Sequence, residues 1–286
     1  MNAEELRRRF AAAGVSAHEA GMHHETVQLA LQAAKGALEG RFLAEGLWLN
    51  HQAVEYSAQV DALLLCPELL YSEEWIERCV AMAAHCGAAA LVSARVYERL
   101  SADKSDRGAL GIVRVPHYTL EDISVGENSL ILVLDGLENP GNVGTLIRSA
   151  DGAGADAVLL CNRKTGLTNA SVVRSSLCTL LTKPIVEVEA TQAMAWLARQ
   201  GFTLYLGKAE AQGRYCDIHY SQRSAIVVGN EKYGVSEDFF AAPHVGIRIP
   251  MRGRVDSLNV AVAGSILLYE AARSLGFGAD SGEEKP

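Results

Sequence analysis

Three polar, glycine-rich stretches in the C-terminal half of the chain carry residue types that bind ligands and handle protons. Each stretch directly follows an apolar run that predicts a strand. In open α/β sheets, ligands bind outside the carboxyl ends of the strands. The sequence therefore predicts one ligand site at one edge of an α/β domain, built from LDGLENPGNVGTLIRSADGAGADAVLL (134–160), VVGNEKYGVSEDFF (227–240) and IRIPMRGRVDSLNVAVAGSILLYEAA (247–272).

The first stretch has no GxGxxG signature, and this absence disfavours a dinucleotide-dependent dehydrogenase. Either Asn139 or Asn142 is suited to cap the helix that follows. Arg148 then lies one to two turns inside that helix. Spacing alone favours a solvated surface charge at Arg148 over a residue of the site.

The second and third stretches also leave alternatives open. Gly229 ends a predicted strand and permits close approach of the backbone, either by a ligand or in a simple turn. Glu231 is either a solvated acid or a charge at a helix start. Asp256 or Ser257 is a good N-cap for the last helix. Asn259 is unusual in a first helical turn, because asparagine is a poor helix former.

The elements that position these stretches predict an α/β fold for residues 130–276. The run LILVLDG is continuously apolar, which is typical of a strand buried on both faces. Helices are predicted near 192–200 and 257–275. Strands are predicted at 130–136, 155–161, 182–188, 202–207, 224–229 and 245–250.

A second, smaller α/β domain is predicted over residues 37–118, where strand and helix patterns alternate. Residues 1–36 are predicted to be a helical N-terminal extension. The Pro- and Gly-containing segment 119–129 is predicted to be a linker. Residues 277–286 are small and charged, which predicts a disordered tail.

Composition narrows the class of protein. The 286 residues carry a net charge of −8, which argues against a general nucleic-acid coat protein but not against an enzyme with a local basic surface. The six cysteines include no CxxC pair, so we expect free thiols and no metal site. No apolar run is long enough for a membrane helix, and the first residues do not resemble a leader, so a cytoplasmic location is expected.

Together the three stretches resemble the motifs of the SpoU/TrmH branch of the SPOUT RNA methyltransferases. The resemblance covers residues 130–275 and rests on NPGNVGTLIRSADGAGAD, VGNEKYGVS and IPMRGRVDSLNVAVA, which occur in the family's order. The second motif departs from the family, since many members carry a GPEG-like sequence where this chain has GNEKYG. GRFLAEG and SDRGALGIVRVP are similar to the family's N-terminal substrate-binding domain.

The resemblance implies an α/β domain with a deep trefoil knot, a homodimer with its active site at the subunit interface, and S-adenosylmethionine as cofactor. The cofactor would be held largely by backbone groups. By position in the motifs, its contacts would be Gly229, Ile249 and Leu258, with Gly207 as a further candidate.

The resemblance also implies roles for side chains. Arg148 would orient a ribose 2′-hydroxyl and stabilise its developing charge, because arginine is normally protonated. Asn142 and Ser257 would line the site, while Glu231 and Asn259 would position Arg148 or the loops. RNA would be contacted by Arg174, which spacing alone also allows as a solvated helix charge. A wider basic surface would include Arg41, Lys104, Arg107, Arg163, Lys164, Arg252 and Arg254.

The expected function is therefore methylation of a ribose 2′-hydroxyl in RNA. The separate N-terminal domain favours ribosomal RNA as the substrate. Transfer RNA is the alternative within the class, and a non-catalytic RNA-binding protein on the same fold is the alternative outside it.

Overall fold

The computed structural model describes residues 1–102 and 107–276. Two expectations fall outside these residues: the contribution of Lys104 to a basic surface and the disorder of the 277–286 tail. The chain divides into two compact units. The first is Met1–Pro116 with Leu167–Val173, and the second is His117–Gly166 with the chain from Arg174 onward.

The first unit contains a five-stranded sheet in the order β1-β4-β3-β5-β2. Strand β5 runs antiparallel to β3 and β2, and the other pairings are parallel. Both faces are covered, since Leu64 packs with one apolar cluster while Leu63 and Leu65 pack with another. The elements are α1 Ala3–Ala12, β1 Ala17–Glu19, α2 Glu25–Ala34, β2 Arg41–Glu45, α3 Leu47–Glu55, β3 Val60–Leu65, α4 Glu73–Ala84, β4 Ala89–Leu91, α5 Ala94–Leu100 and β5 Ala109–Arg114.

The expectation that residues 1–36 form a helical extension is wrong. They contain β1, which pairs with β4 in the register Ala17↔Ala89. The two helices that flank β1 bury Phe10 and Val27 in the clusters on opposite faces of the sheet. The first 36 residues are thus part of the α/β unit. A strand of three residues is too short to show an alternating pattern in the sequence.

From His117 onward the chain forms a seven-stranded sheet, ordered β10-β12-β9-β11-β6-β7-β8, in which every pairing is parallel. This confirms the predicted α/β class. The elements are β6 Ser129–Asp135, α6 Pro140–Gly152, β7 Ala157–Cys161, α7 Ala170–Ser176, β8 Ile185–Glu187, α8 Ala190–Arg199, β9 Thr203–Gly207, β10 Gly213–Arg214, β11 Arg223–Gly229, α9 Glu237–Phe240, β12 His244–Arg248 and α10 Val260–Ser274.

The predicted linker over 119–129 is not a free connection. Ile123 is buried in the core cluster that contains Ile131 and Val133, and Tyr118 and Leu120 pack against the same cluster. The apolar side chains of this segment outweigh the turn signals that its proline and glycine give. The segment therefore belongs to the second unit, whose first strand starts at Ser129.

No helix within residues 1–102 and 107–276 combines the length and the apolar character needed to cross a bilayer.

Candidate cofactor and catalytic site

The carboxyl ends of β9, β11 and β12 border a cavity of about 480 Å³ in the second unit. This position follows from the parallel sheet, which brings the ends of neighbouring strands to one edge. The size lies in the range of small-molecule sites. All four predicted cofactor contacts line it: Gly207, Gly229, Ile249 and Leu258.

The cavity wall combines aliphatic side chains with glycine backbone and a few charges. Its apolar part includes Val228, Ile247, Met251, Leu258 and Leu267, which suit a flat heterocycle such as adenine. Its charged side chains are those of Lys208, Glu231, Arg248 and Asp256. The wall therefore offers both signs of charge beside an apolar surface, and this matches a ligand with a cationic centre, an anionic group and a flat ring.

Gly229 is required by the fold of the loop that follows it. A Cβ at Gly229 would lie 2.1 Å from the carbonyl carbon of Gly234, a distance that no real contact shows. The loop is closed by reciprocal backbone hydrogen bonds of 2.9 Å between Asn230 and Gly234. The close approach left open by the sequence is thus made by the protein's own turn, while the backbone of Gly229 still faces the cavity.

Glu231 ties the second motif to the first. Its Oε1 accepts hydrogen bonds from Nδ2 of Asn142 at 2.9 Å and from the backbone N–H of Asn139 at 3.2 Å. Its Oε2 accepts from the backbone N–H of Glu138 at 3.1 Å. Asn142 is buried, so its amide depends on these protein partners.

Asn259 completes the connection from the third motif. Its Nδ2 donates to Oδ1 of Asn142 at 3.1 Å. Its own Oδ1 accepts from the backbone N–H of Ala261 at 2.9 Å and so caps α10. Asn259 is therefore the N-cap of the last helix, and the expectation of Asp256 or Ser257 at that position is wrong. The helix starts later than predicted because residues 249–259 form an irregular loop around the cavity.

The pKa of Glu231 lies below its ordinary value. Burial by itself raises the pKa, but the hydrogen bonds from Asn142 and from the two backbone N–H groups outweigh burial and lower it. All of these donors are uncharged. Glu231 thus stays ionised without a cationic partner among the residues that the structure describes.

At the start of α6, Asn139 accepts from the backbone N–H of Gly141 at 2.8 Å. Asn139 is therefore the cap, which decides between the two asparagines that the sequence left open. Asn142 in the first turn is free to join Glu231 to Asn259. Each of the three motifs contributes one residue to this polar chain.

Comparison with known proteins assigns the family. Residues 129–269 match the model of the SpoU rRNA Methylase family. A crystal structure of an RNA 2′-O ribose methyltransferase is 30% identical, covers 90% of this chain and 98% of its own, and superposes with a TM-score of 0.74. The chain belongs to the SpoU methylase family.

Two further relatives share the fold or the sequence. The AdoMet-bound rRNA methyltransferase of Sinorhizobium meliloti is 26% identical, with a TM-score of 0.78 over 90% of this chain and 98% of its own. The Bacillus subtilis 23S rRNA (guanosine(2553)-2′-O)-methyltransferase RlmP is 32% identical over 55% of this chain. The alignment spans 63% of the B. subtilis protein, so the chain matches less than two thirds of that relative's length.

Four of the five predicted catalytic residues of this SpoU family member lie at the cavity or are hydrogen-bonded to residues that line it. Glu231, Ser257 and Asn259 line it, and Asn142 reaches it through hydrogen bonds to two of them. Arg148 is exposed on α6 and is not among the lining residues. Within one chain, the structure therefore gathers four of the five residues and leaves Arg148 at the surface.

The three arginines that were predicted to bind RNA differ in their exposure and in their ion pairs. Arg174 is exposed on α7. Arg41 donates through Nε to Oδ2 of Asp61 at 2.7 Å, and Arg107 pairs with Glu98 at 2.9 Å. RNA binding by these three side chains stays a prediction.

Among the lining residues that the sequence did not predict for the site are Lys208, Arg248 and Met251. Each lies within two positions of a residue that the SpoU motifs identify, namely Gly207 or Ile249. In the sequence, only their closeness to Gly207 or Ile249 indicates that these three residues could line the site. The motif pattern does not say which neighbours turn toward the site.

Proposed function

We propose that this protein transfers a methyl group from S-adenosylmethionine to a ribose 2′-hydroxyl of RNA, with ribosomal RNA as the substrate. One observation carries the proposal: residues of the second and third motifs line a single cavity, and the hydrogen bonds Glu231–Asn142–Asn259 join the first motif to both. The named activities of the B. subtilis and S. meliloti relatives support the same reaction and favour ribosomal over transfer RNA.

The cavity fits the cofactor chemically. Ile247, Ile249 and Leu258 offer an apolar surface for the adenine ring, and the backbone at Gly229 offers polar groups to its edge. The carboxylates of Glu231 and Asp256 favour a cationic sulfonium, while Lys208 or Arg248 favours a carboxylate. When bound, S-adenosylmethionine supplies an electrophilic methyl group on sulfur.

The chain's own residues would prepare the nucleophile. A ribose hydroxyl is a poor nucleophile near neutral pH, so its proton must be handled as attack proceeds. The guanidinium of Arg148 would orient the hydroxyl oxygen and stabilise the charge that develops on it. Glu231, Asn142 and Asn259 would hold the starts of α6 and α10 in the geometry that this requires.

The proposal includes a homodimer, because Arg148 does not line the cavity of its own chain. Helices α6 and α10 pack together, with the hydroxyls of Ser149 and Ser265 2.7 Å apart. On α10, Val262 and Tyr269 are both about half exposed and lie seven residues apart, so they share one helical face. An apolar face beside an exposed arginine supports a contact that carries Arg148 to the cavity of a second copy.

A trefoil knot in the C-terminal segment and a cytoplasmic location complete the proposal. The knot is supported by the likeness to solved SpoU methyltransferases. The location is supported by the proposed ribosomal RNA substrate.

Transfer of a labelled methyl group to ribosomal RNA and to transfer RNA tests the function. The wild type should label ribosomal RNA, and Arg148→Ala should lower the rate by about 10²- to 10³-fold. Calorimetry should show that this variant still binds S-adenosylmethionine. Arg199→Ala serves as control, since Arg199 is an exposed arginine on α8, a helix that contributes no residue to the cavity wall.

Retained methylation in Arg148→Ala would remove Arg148 from the mechanism. If only transfer RNA were labelled, the substrate would be transfer RNA and not ribosomal RNA. A wild type that binds RNA but not the cofactor would identify a non-catalytic RNA-binding protein instead.

A further inference from the structure

In the first unit, most of the lysine and arginine side chains that the structure describes form ion pairs with carboxylates of the same unit. Within the described part of Met1–Pro116, the exceptions to ion pairing are Lys35, Arg95 and Arg99. The arginines that pair with carboxylates are Arg7, Arg8, Arg9, Arg41, Arg78, Arg107 and Arg114. Two of the three exceptions lie on a single short helix.

Arg95 and Arg99 are both exposed on α5, four residues apart and thus on one face. They line the same cleft of about 480 Å³, together with Met22, His23, Gln28 and Val96. No carboxylate lines this cleft. Like charges at this spacing repel each other, so the arrangement is unfavourable until an anion occupies the cleft.

The far wall of the cleft is fixed in place. The side-chain amide of Gln28 donates to the backbone carbonyl of Met22, which precedes His23. Nδ1 of His24 accepts from the backbone N–H of Thr26 at 3.2 Å and caps α2. The ring of His24 also lies 4.4 Å from that of His18. The loop that carries His23 is therefore held from both sides, opposite two arginines.

A pair of guanidinium groups is suited to phosphate. Each presents several N–H donors in a planar fork that matches phosphate oxygens, and its charge is permanent. His23 adds a ring nitrogen at the same cleft. In a unit whose other arginines are compensated, an RNA strand would find its favourable contact here and not at the neighbouring surface.

We propose that the cleft between α5 and the His23 loop binds the phosphodiester backbone of the RNA substrate. This inference rests on the proposed function, which makes RNA the substrate. It assigns the anchoring of RNA in the first unit to Arg95 and Arg99. The ion-paired Arg41 and Arg107 would then serve the fold of the unit.

The test compares two double variants of the full chain. Arg95→Ala/Arg99→Ala removes the two uncompensated charges. Arg7→Ala/Arg8→Ala is the matched control, because it removes two exposed arginines of the same unit that are ion-paired to Glu19 and Glu4. Binding of a fluorescent, unmodified 23S ribosomal RNA transcript is followed by anisotropy as the salt concentration rises.

For the cleft variant, the slope of log affinity against log salt should fall by about 1.4 to 1.8, the value for two lost phosphate contacts. Its KM for RNA in methyl transfer should rise about tenfold or more at low salt. Its kcat and its affinity for S-adenosylmethionine should match those of the wild type. The control should keep the wild-type slope. Arg95→Lys/Arg99→Lys, which keeps both charges, should recover most of the slope even if the alanine variant folds poorly.

An unchanged slope and KM in a folded Arg95→Ala/Arg99→Ala variant would overturn this inference and leave the proposed function intact. A wild type that neither binds nor methylates ribosomal RNA would overturn the proposed function itself. If polyglutamate bound the wild type and lost affinity in the cleft variant while RNA did not, the cleft would belong to an acidic protein partner, which also overturns the inference.

Discussion

Two carboxylates, one in each unit, are held in opposite ways. Asp61 accepts hydrogen bonds from Nε of Arg41 at 2.7 Å and from Nε of Arg114 at 2.8 Å. Glu231 accepts its hydrogen bonds from Asn142 and from two backbone N–H groups, all of them uncharged. Burial raises the pKa of both groups, and in both the hydrogen bonds outweigh it and lower the pKa.

The two carboxylates differ in the net charge that remains once their hydrogen bonds are formed. Around Asp61 the charge is more than compensated, so this carboxylate closes a structural cluster. Around Glu231 a full negative charge remains beside the cavity. Neutral donors keep a carboxylate ionised and oriented while leaving its field available to a cationic ligand or to an incoming arginine. Asp61 thus holds two arginines of the first unit in place, whereas Glu231 keeps a negative charge at the cavity.

Replacing each carboxylate by alanine should give the largest difference between Glu231 and Asp61. Glu231→Ala strips the buried Nδ2 of Asn142 of its acceptor, and we expect a loss of about 2 kcal/mol in the free energy of unfolding. Methyl transfer should fall by about a hundredfold or more. Asp61→Ala should cost about 1 kcal/mol, since its arginines are partly exposed to water, and should leave kcat unchanged. Urea unfolding and steady-state kinetics measure both. Equal kinetic losses would mean that Glu231 has no special role.

Removal of the central amide should give an intermediate effect. Asn142→Ala deletes the group that joins Glu231 to Asn259, and Nδ2 of Asn259 loses its acceptor. We expect a loss of about 1 to 2 kcal/mol in unfolding free energy and weaker binding of S-adenosylmethionine. Thr145→Ala is the control, because Thr145 is exposed on the same helix and its hydroxyl bonds only to Gly141 among the residues described. A cofactor affinity equal to that of the wild type would show that the polar chain does not shape the cavity.

Changes of pH and salt concentration should have the smallest effect on stability, but they should distinguish Glu231 from Asp61 most clearly. Each lowered pKa contributes stability that is fully present above the ordinary pKa of the carboxyl group. That stability is lost as the pH falls through the lower pKa of the folded protein. The stability difference between wild type and Glu231→Gln should therefore vanish on acidification. The same holds for Asp61→Asn.

Raising the salt to about 1 M should shrink the difference for Asp61, whose partners are charged, far more than that for Glu231. Urea unfolding at low and high salt, from neutral pH to about pH 3, measures both effects. An equal response to salt would mean that Glu231 has a charged partner, such as an arginine of a second copy.

The sequence predicted six of the seven strands of the all-parallel sheet, because continuous apolar runs such as 130–136 are typical of buried strands. It missed β10, which has only two residues. The motif resemblance also identified Gly207, Gly229, Ile249 and Leu258, which the structure places around one cavity. Their contact with the cofactor stays a prediction. The sequence could not predict β1, because three residues carry no periodicity. Nor could it pair Asn142 with Glu231, since the two lie 89 positions apart and only the register of β6 with β11 brings their loops together.

The start of α10 shows a different limit. Asp256, Ser257 and Asn259 are all competent caps, and local preference cannot choose among them. The choice is made by Asn142, which offers an acceptor to Asn259 alone among the residues described. Arg148 shows a third limit, because its proposed role depends on a second copy and not on its own chain.

The turn from Asn230 to Gly234 has a consequence for the evolution of the protein. Position 229 has no room for any side chain, because the carbonyl carbon of Gly234 would lie 2.1 Å from its first atom. Gly253, in the loop that follows β12, has nothing within 4 Å of the same atom. Saturation libraries at the two codons, sorted for folded protein, should return glycine alone at the first and a broad set of amino acids at the second. Gly229 therefore cannot be substituted during evolution, whereas position 253 can accept other amino acids.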